Sequence, residues 1–188
     1  MNPAPPIATR ATLADLRRTA GKAELIGGRI VASMPTGHRP SRVASRIFRS
    51  LDDHAEATGV GLAYNDNTGF AVPELASGRE SFSPDAAFYL GPVPADDMDF
   101  LAGPPALAVE VRSKNDYGPA AEIALAAKRA DYFEAGTLVV WDVDPQARLI
   151  RSYRATDPAR PVTFAPGQSA HAEPAVAGWQ LAVDRVFA

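Results

Sequence analysis

The sequence predicts an α/β fold with some α+β character, in which helices flank a mixed β-sheet. The main evidence is a strand–helix–strand unit, because 106–111 and 138–143 are almost continuously apolar and enclose a predicted helix over 119–135. Strands that are buried on both faces have this composition, and such a unit normally joins parallel strands through a right-handed crossover. The alternating segment 148–154 predicts an antiparallel neighbour, so the sheet should be mixed.

The N-terminal part of the chain predicts a short helix, a hairpin and a long helix. Thr12, with Asp15 three residues later, is an N-cap pattern that opens a helix over 13–20. The glycine pair at 27–28 joins two short apolar runs, and glycine favours a tight hairpin turn because it tolerates positive φ. Apolar residues at helical spacing then predict a long helix over 41–57.

The middle and the end of the chain predict short elements. We expect three short strands, over 60–64, 69–72 and 86–90. Four prolines and three aspartates mark 91–105 as a surface loop. A flexible tail is expected over 1–10 and a single domain over 11–188, which ends in a short strand or helical turn over 181–187.

The composition restricts the classes of function. A hydrophobic fraction of 46% is sufficient for a folded core. The net charge of −3 does not suit a protein that holds nucleic acid by bulk charge, so a phosphate ligand would need a local basic patch or a metal ion. The absence of cysteine excludes disulfides, thiolate zinc sites and cysteine nucleophiles. With neither a secretory signal nor a membrane-spanning stretch in the sequence, we expect a cytoplasmic protein without membrane contact.

Asp85 and Glu110 form the sharpest candidate site. Asp85 follows Pro84 at the head of one predicted strand, and Glu110 lies 25 residues later inside an apolar one. If these strands pair, the two carboxylates can converge and would require a proton or a cation between them. Oxygen ligands, with the Val111 carbonyl as a further one, favour Mg²⁺ or Mn²⁺, which can promote phosphodiester hydrolysis. In the alternative, structural interpretation, Asp85 caps a turn and Glu110 pairs with Arg112 or another neighbour.

Six short sequence fragments occur in a characteristic order along the chain. They are AELIGG at 23–28, SPDAAF at 83–88, LAVEVRS at 107–113, KRADY at 128–132, AG at 135–136 and VWDVDP at 140–145. Together they resemble the Uma-type restriction endonuclease family, a branch of the PD-(D/E)XK nuclease superfamily. The resemblance implies a restriction-endonuclease-like core and a metal-dependent endonuclease acting on DNA. It implies Asp85 and Glu110 as the acids that hold the metal. It also implies Glu24 as a supporting acid that joins the metal shell or orients a lysine, whereas in the structural interpretation Glu24 forms a cross-strand pair.

The lysine of the superfamily motif has no direct counterpart. It stands two residues after the second acid, where this chain has Arg112. Arginine stays protonated and cannot act as a base, although it could neutralise a phosphate. Lys128, on the same predicted helical stripe as Tyr132, is the natural substitute, unless its stem packs on the core while its ammonium reaches water. If neither Lys128 nor Arg112 assists catalysis, the same fold would serve as a degenerate nucleic-acid-binding or protein-interaction module.

A basic stripe lies on the predicted long helix and just before it. Arg42, Arg46 and Arg49 are spaced for one helical face, and Arg39 precedes them. Such a stripe suits the phosphates of DNA, although surface helices often carry solvated stripes that pair with nearby acids. The resemblance is also compatible with a homodimer, because nucleases of this superfamily often cut as symmetric pairs.

Overall fold

The computed structural model of the protein describes residues 10–188, which form four helices and thirteen strands. The helices are α1 (Leu13–Arg17), α2 (His38–Thr58), α3 (Pro119–Ala135) and α4 (Val183–Phe187). The strands are β1 (Ala23–Ile26), β2 (Arg29–Ala32), β3 (Leu62–Asn65), β4 (Phe70–Ala71), β5 (Ser81–Phe82), β6 (Ala86–Tyr89), β7 (Leu101–Ala102), β8 (Leu107–Val111), β9 (Val139–Asp144), β10 (Leu149–Arg154), β11 (Asp157–Phe164), β12 (Ser169–His171) and β13 (Gln180–Ala182).

A mixed sheet of six strands forms the centre of the fold, in the order β11-β10-β9-β8-β6-β3. β8 and β9 are parallel and are connected through α3, whereas the other neighbouring pairs are antiparallel. The predicted strand–helix–strand unit and its antiparallel neighbour are therefore confirmed, and with them the α/β class. The pairing of β6 with β8 brings the Pro-Asp segment beside the apolar strand that carries the second acid.

Alternate residues of the central strands face two different layers. On one face, Val109 and Trp141 belong to a cluster that includes α2 and the C-terminal segment. On the other face, Ala108 packs with Tyr132 of α3 and with the small sheet β5-β4-β7. Because side chains alternate along a strand, Glu110 shares the face of Ala108 and lies towards α3.

The predicted hairpin and N-cap both occur in the structure. The turn between β1 and β2 contains Gly27 and Gly28 with φ of 57° and 67°, the left-handed region that favours glycine. Thr12 and Asp15 form a reciprocal capping box at the start of α1. Of the tail expected over 1–10, only the last residue lies among those described, so the division into a tail and one domain stays a prediction.

Prolines account for two differences from the predicted elements. α2 begins at His38 and includes Pro40 in its first turn, where the missing N–H needs no partner. The long strand β11 was not expected because Pro158 and Pro161 interrupt it. It lies at the edge of the sheet, where a strand tolerates proline. No helix within 10–188 has the length and apolar character needed to cross a membrane.

Candidate active site

Asp85 and Glu110 line one cavity of about 640 Å³ at an end of the central sheet. The backbone N–H of Asp85 donates to the Val109 carbonyl at 3.0 Å. Its side-chain Oδ2 accepts a hydrogen bond from the Val111 N–H at 2.8 Å. The Val111 N–H thus orients the Asp85 carboxylate, and the expectation that the Val111 carbonyl binds a metal stays a prediction. The pairing of β6 with β8 thus brings together two acids that are remote in sequence.

Lys128 and Tyr132 of α3 both reach Glu110. They are four residues apart and share one helical face. Lys128 Nζ lies 2.8 Å from Glu110 Oε1 and 3.1 Å from Glu24 Oε1. The Tyr132 hydroxyl donates to the same Glu110 oxygen at 2.6 Å. Burial raises the pKa of Glu110, the Lys128 ammonium opposes that rise, and the negative charge of Asp85 adds to it.

Glu24 supports Lys128 from the hairpin. The buried Glu24 carboxylate pairs with Arg79 and accepts a hydrogen bond from the Ser83 N–H at 3.0 Å. Arg79 is in turn held by Asp131, with Nε 2.8 Å from Oδ2. Burial raises the pKa of Glu24, but Lys128 and Arg79 outweigh it and lower the pKa to about 2. Glu24 is therefore ionised and forms an ion pair that holds the Lys128 ammonium in place.

Lys22 neutralises the other acid. Its Nζ lies 2.7 Å from Asp85 Oδ1 and 2.6 Å from Asp66 Oδ1. Burial lowers the pKa of Lys22, but the attraction of Asp85 and Glu110 outweighs this effect and raises it. The negative charges of Asp85 and Glu110 therefore both stabilise the Lys22 ammonium. A carboxylate that is removed from water needs such a partner, and Lys22 provides it at the mouth of the cavity.

Arg112 engages a different group of side chains. Its Nε and Nη2 each lie 2.7 Å from an oxygen of Asp142, the bidentate geometry that arginine makes with carboxylates. Nη2 also lies 3.1 Å from Glu122 Oε2 on α3. Arg112 contributes to the cavity wall, but its guanidinium is held by these two acids. The structure brings Lys128, and not Arg112, into contact with Glu110.

The four arginines of the basic stripe lie on α2. Arg39 and Arg42 are exposed in its first two turns, whereas Arg46 and Arg49 line a groove beside α4. Within the described part of the chain, none of the four forms an ion pair with an acid. The exposure of Arg39, Arg42 and Arg49 suits both a solvated face and a phosphate-binding stripe, so the role of the stripe stays a prediction.

Comparison with known proteins identifies the family. The Uma2 family, described as "Putative restriction endonuclease", matches residues 11–184. The chain belongs to this family. A crystal structure described as that of a putative nuclease from Anabaena variabilis ATCC 29413 is similar, with a TM-score of 0.72 and 17% identity over 94% of this chain and 97% of the other. No curated protein matches the chain.

The donor atoms of this Uma2 site fit a hard divalent cation. Asp85 and Glu110 offer carboxylate oxygens to one cavity. Mg²⁺ in proteins is held by one or two carboxylates, with water and substrate phosphate completing its octahedron. Over residues 10–188, no group of three or more His, Cys, Asp and Glu side chains is placed to hold a metal ion. The fit therefore depends on two protein carboxylates. Water and substrate would occupy the remaining coordination positions of the ion.

Sequence reasoning missed Lys22 and Asp66. Lys22 lies in the bend directly before β1, two residues before Glu24, and this closeness to a candidate acid was a usable signal. Asp66 directly follows β3, whose register pairs Asn65 with Ala86 and so places Asp66 beside Asp85. Nothing in the sequence indicates that β3 is the neighbour of β6. Asp66 could therefore be found only from the structure.

Proposed function

We propose that this protein is a metal-dependent endonuclease that hydrolyses phosphodiester bonds of DNA. One observation carries the proposal: Asp85 and Glu110 line one cavity, and the Lys128 ammonium lies 2.8 Å from Glu110. Membership of a family described as restriction endonucleases supports a nuclease with a DNA substrate, and the fold matches that of a chain described as a nuclease. Asp85 and Glu110 would hold Mg²⁺ or Mn²⁺, with water and phosphate as the other ligands.

Each side chain has a distinct role in this proposal. Once bound, the ion would polarise the phosphate and make water a stronger nucleophile. The Val111 N–H fixes the Asp85 carboxylate, and the Tyr132 hydroxyl fixes Glu110. Lys128 places a positive charge beside the attacked phosphate, where it stabilises the negative charge that grows in the transition state. Arg112 supports the cavity wall through Asp142 and Glu122.

The proposal is tested by DNA cleavage with the purified protein. Single-stranded, duplex and supercoiled DNA are incubated with Mg²⁺, with Mn²⁺ or with EDTA. We expect cleavage in the presence of either ion and none in EDTA. Cleavage that continues in EDTA would contradict the metal dependence.

A second candidate function is a binding module without chemistry. The observation that favours it is that each carboxylate already has a lysine partner, so part of its charge is balanced without an ion. DNA binding without any cleavage under these conditions would support this alternative. A homodimer also stays a proposal, which light scattering of the purified protein would test.

Replacing Lys22 by methionine is expected to strengthen metal binding. Lys22 and a divalent cation would compete for the same Asp85 carboxylate. Without the ammonium, Asp66 and Asp85 repel each other, and a cation relieves about 1 kcal/mol of this repulsion, or a 5- to 10-fold lower Kd. Isothermal titration with Mn²⁺ measures the change. Lys114→Met, at an exposed loop lysine, is the control and should leave the Kd unchanged. Weaker binding by Lys22→Met would show that Lys22 supports the site.

A further inference from the structure

A groove of about 550 Å³ lies between α2 and α4, separate from the candidate active site. Arg46 and Arg49 of α2 and Arg185 of α4 line it, together with Ser50 and Asp53. Three guanidinium groups thus face one acidic side chain, in a chain whose net charge is −3. This local positive charge is opposite in sign to that of the whole protein and requires an explanation.

Contacts between α2 and the C-terminal segment hold the walls of the groove. Arg46 Nη1 donates to the Val186 carbonyl at 3.2 Å. Trp179 Nε1 donates to the Ser50 carbonyl at 3.2 Å and to its hydroxyl at 3.1 Å. The two helices are therefore held in a fixed relation, so the walls of the groove need not be ordered when a ligand binds.

The guanidinium groups of the groove remain available to a ligand. Within 10–188, Arg49 and Arg185 have no hydrogen bond or ion pair through their side chains, and both residues are exposed. A guanidinium offers five N–H donors in a planar fork that matches the oxygens of a phosphate. The chemistry of the groove therefore favours a phosphate group over a cation or an apolar ligand.

The helix that carries the arginine row, α2, also forms a wall of a pocket that contains Asp85. Arg42 lies one turn before Arg46, near the start of α2. The neighbouring Ser41 and Ser45 line a smaller pocket together with Asp85. The helical stretch 42–49 extends about 10 Å along its axis, which equals the rise of about three nucleotides along the axis of a DNA duplex. A nucleic acid bound along this row would lie on the same helix that forms a wall of the Asp85 pocket.

We propose that the groove between α2 and α4, extended by Arg42, binds the phosphodiester backbone of DNA. The proposal rests on the proposed nuclease function and adds where the substrate is held. Arg185 and the C-terminal helix thereby become part of the DNA-binding surface. An acidic protein segment would also meet the arginines, but the nucleic acid is favoured because α2 carries both the arginine row and the serines that line the Asp85 pocket.

The test measures DNA affinity as a function of salt for the variant Arg49→Gln/Arg185→Gln. Fluorescence anisotropy with a labelled 20-bp duplex in EDTA separates binding from cleavage. Each lost phosphate contact lowers the slope of log K against log [salt] by about 0.9, so the double variant should lose about 1.8 from the slope. We also expect an affinity at least about 10-fold lower at low salt, and Arg42→Gln should lose about half as much slope. Arg160→Gln on the edge strand β11, with a side chain 85% exposed, is the control and should bind like the wild type.

The outcomes separate this inference from the proposed function. If the double variant keeps the salt slope and the DNA affinity of a wild type that binds and cuts DNA, the groove does not bind DNA. The nuclease proposal would then remain intact. A wild type that neither binds nor cuts DNA would overturn both. If labelled polyglutamate binds the wild type as tightly as DNA and loses affinity equally in the double variant, the groove serves acidic protein segments and the inference is wrong. Thermal melting of each variant confirms that it is folded.

Discussion

Asp85→Asn and Glu110→Gln are each expected to lower DNA cleavage by about 10²- to 10³-fold or more. Each change removes one of the two negative charges that would hold the ion, while the shape of the side chain is kept. A loss of cleavage of this size is typical when an enzyme loses one group that stabilises charge in the transition state. Plasmid nicking under single-turnover conditions with Mg²⁺ measures the effect.

The surroundings of both acids indicate that these variants will fold. Lys22 keeps Asp66 as a partner after the first change, and Lys128 keeps Glu24 after the second. The matched control is Glu122→Gln, an acid on α3 whose half-exposed carboxylate pairs with Arg112 outside the proposed metal site. It should retain cleavage within about 3-fold. Full cleavage by both Asp85→Asn and Glu110→Gln would show that the acids do not hold a catalytic ion.

Lys128→Met is expected to affect both cleavage and stability. The change removes the positive charge next to the attacked phosphate, so cleavage should fall by about 10²-fold or more. It also leaves Glu24 and Glu110 without their shared ammonium. Breaking a buried ion pair by removing one partner costs about 3–5 kcal/mol. Since the Lys128 side chain is 21% exposed, we expect a loss near the lower end of this range. Urea unfolding in EDTA measures it.

Two further variants separate the role of Lys128 from that of Arg112. Lys128→Arg keeps the charge and should recover part of both the stability and the cleavage. Arg112→Lys restores the lysine of the superfamily motif at a position whose side chain contacts Asp142 and Glu122. We expect it to change cleavage by no more than a few-fold. A large gain in cleavage by Arg112→Lys, with no loss in Lys128→Met, would reverse the two roles.

The sequence predicted the features of this structure that depend on residues close together in the chain. The 106–111 and 138–143 runs predicted β8 and β9 because burial on both faces leaves an apolar signature in the strand itself. Asp85 and Glu110 could be placed together because Asp85 directly precedes one of two strands that pair and Glu110 lies inside the other. Lys128 could be placed on the stripe of Tyr132 because helical spacing is local.

Long-range packing determined what the sequence could not predict. Asp66 joins the site through the pairing of β3 with β6, and neither strand carries a signal that selects the other. Arg185 reaches the arginines of α2 because α4 packs beside α2, a contact between residues more than a hundred positions apart. Arg112 was a candidate for catalysis because it stands two residues after Glu110, and its pairing with Asp142 could not be foreseen because that residue lies on a strand 30 residues away.

Mn²⁺ binding measured by isothermal titration tests most directly whether the two acids jointly hold a divalent cation. We expect saturable binding of about one ion per chain by the wild-type protein, and loss of that binding in Asp85→Asn/Glu110→Gln. A wild type that takes up no Mn²⁺, or a double variant that binds it with unchanged stoichiometry and affinity, would contradict the account.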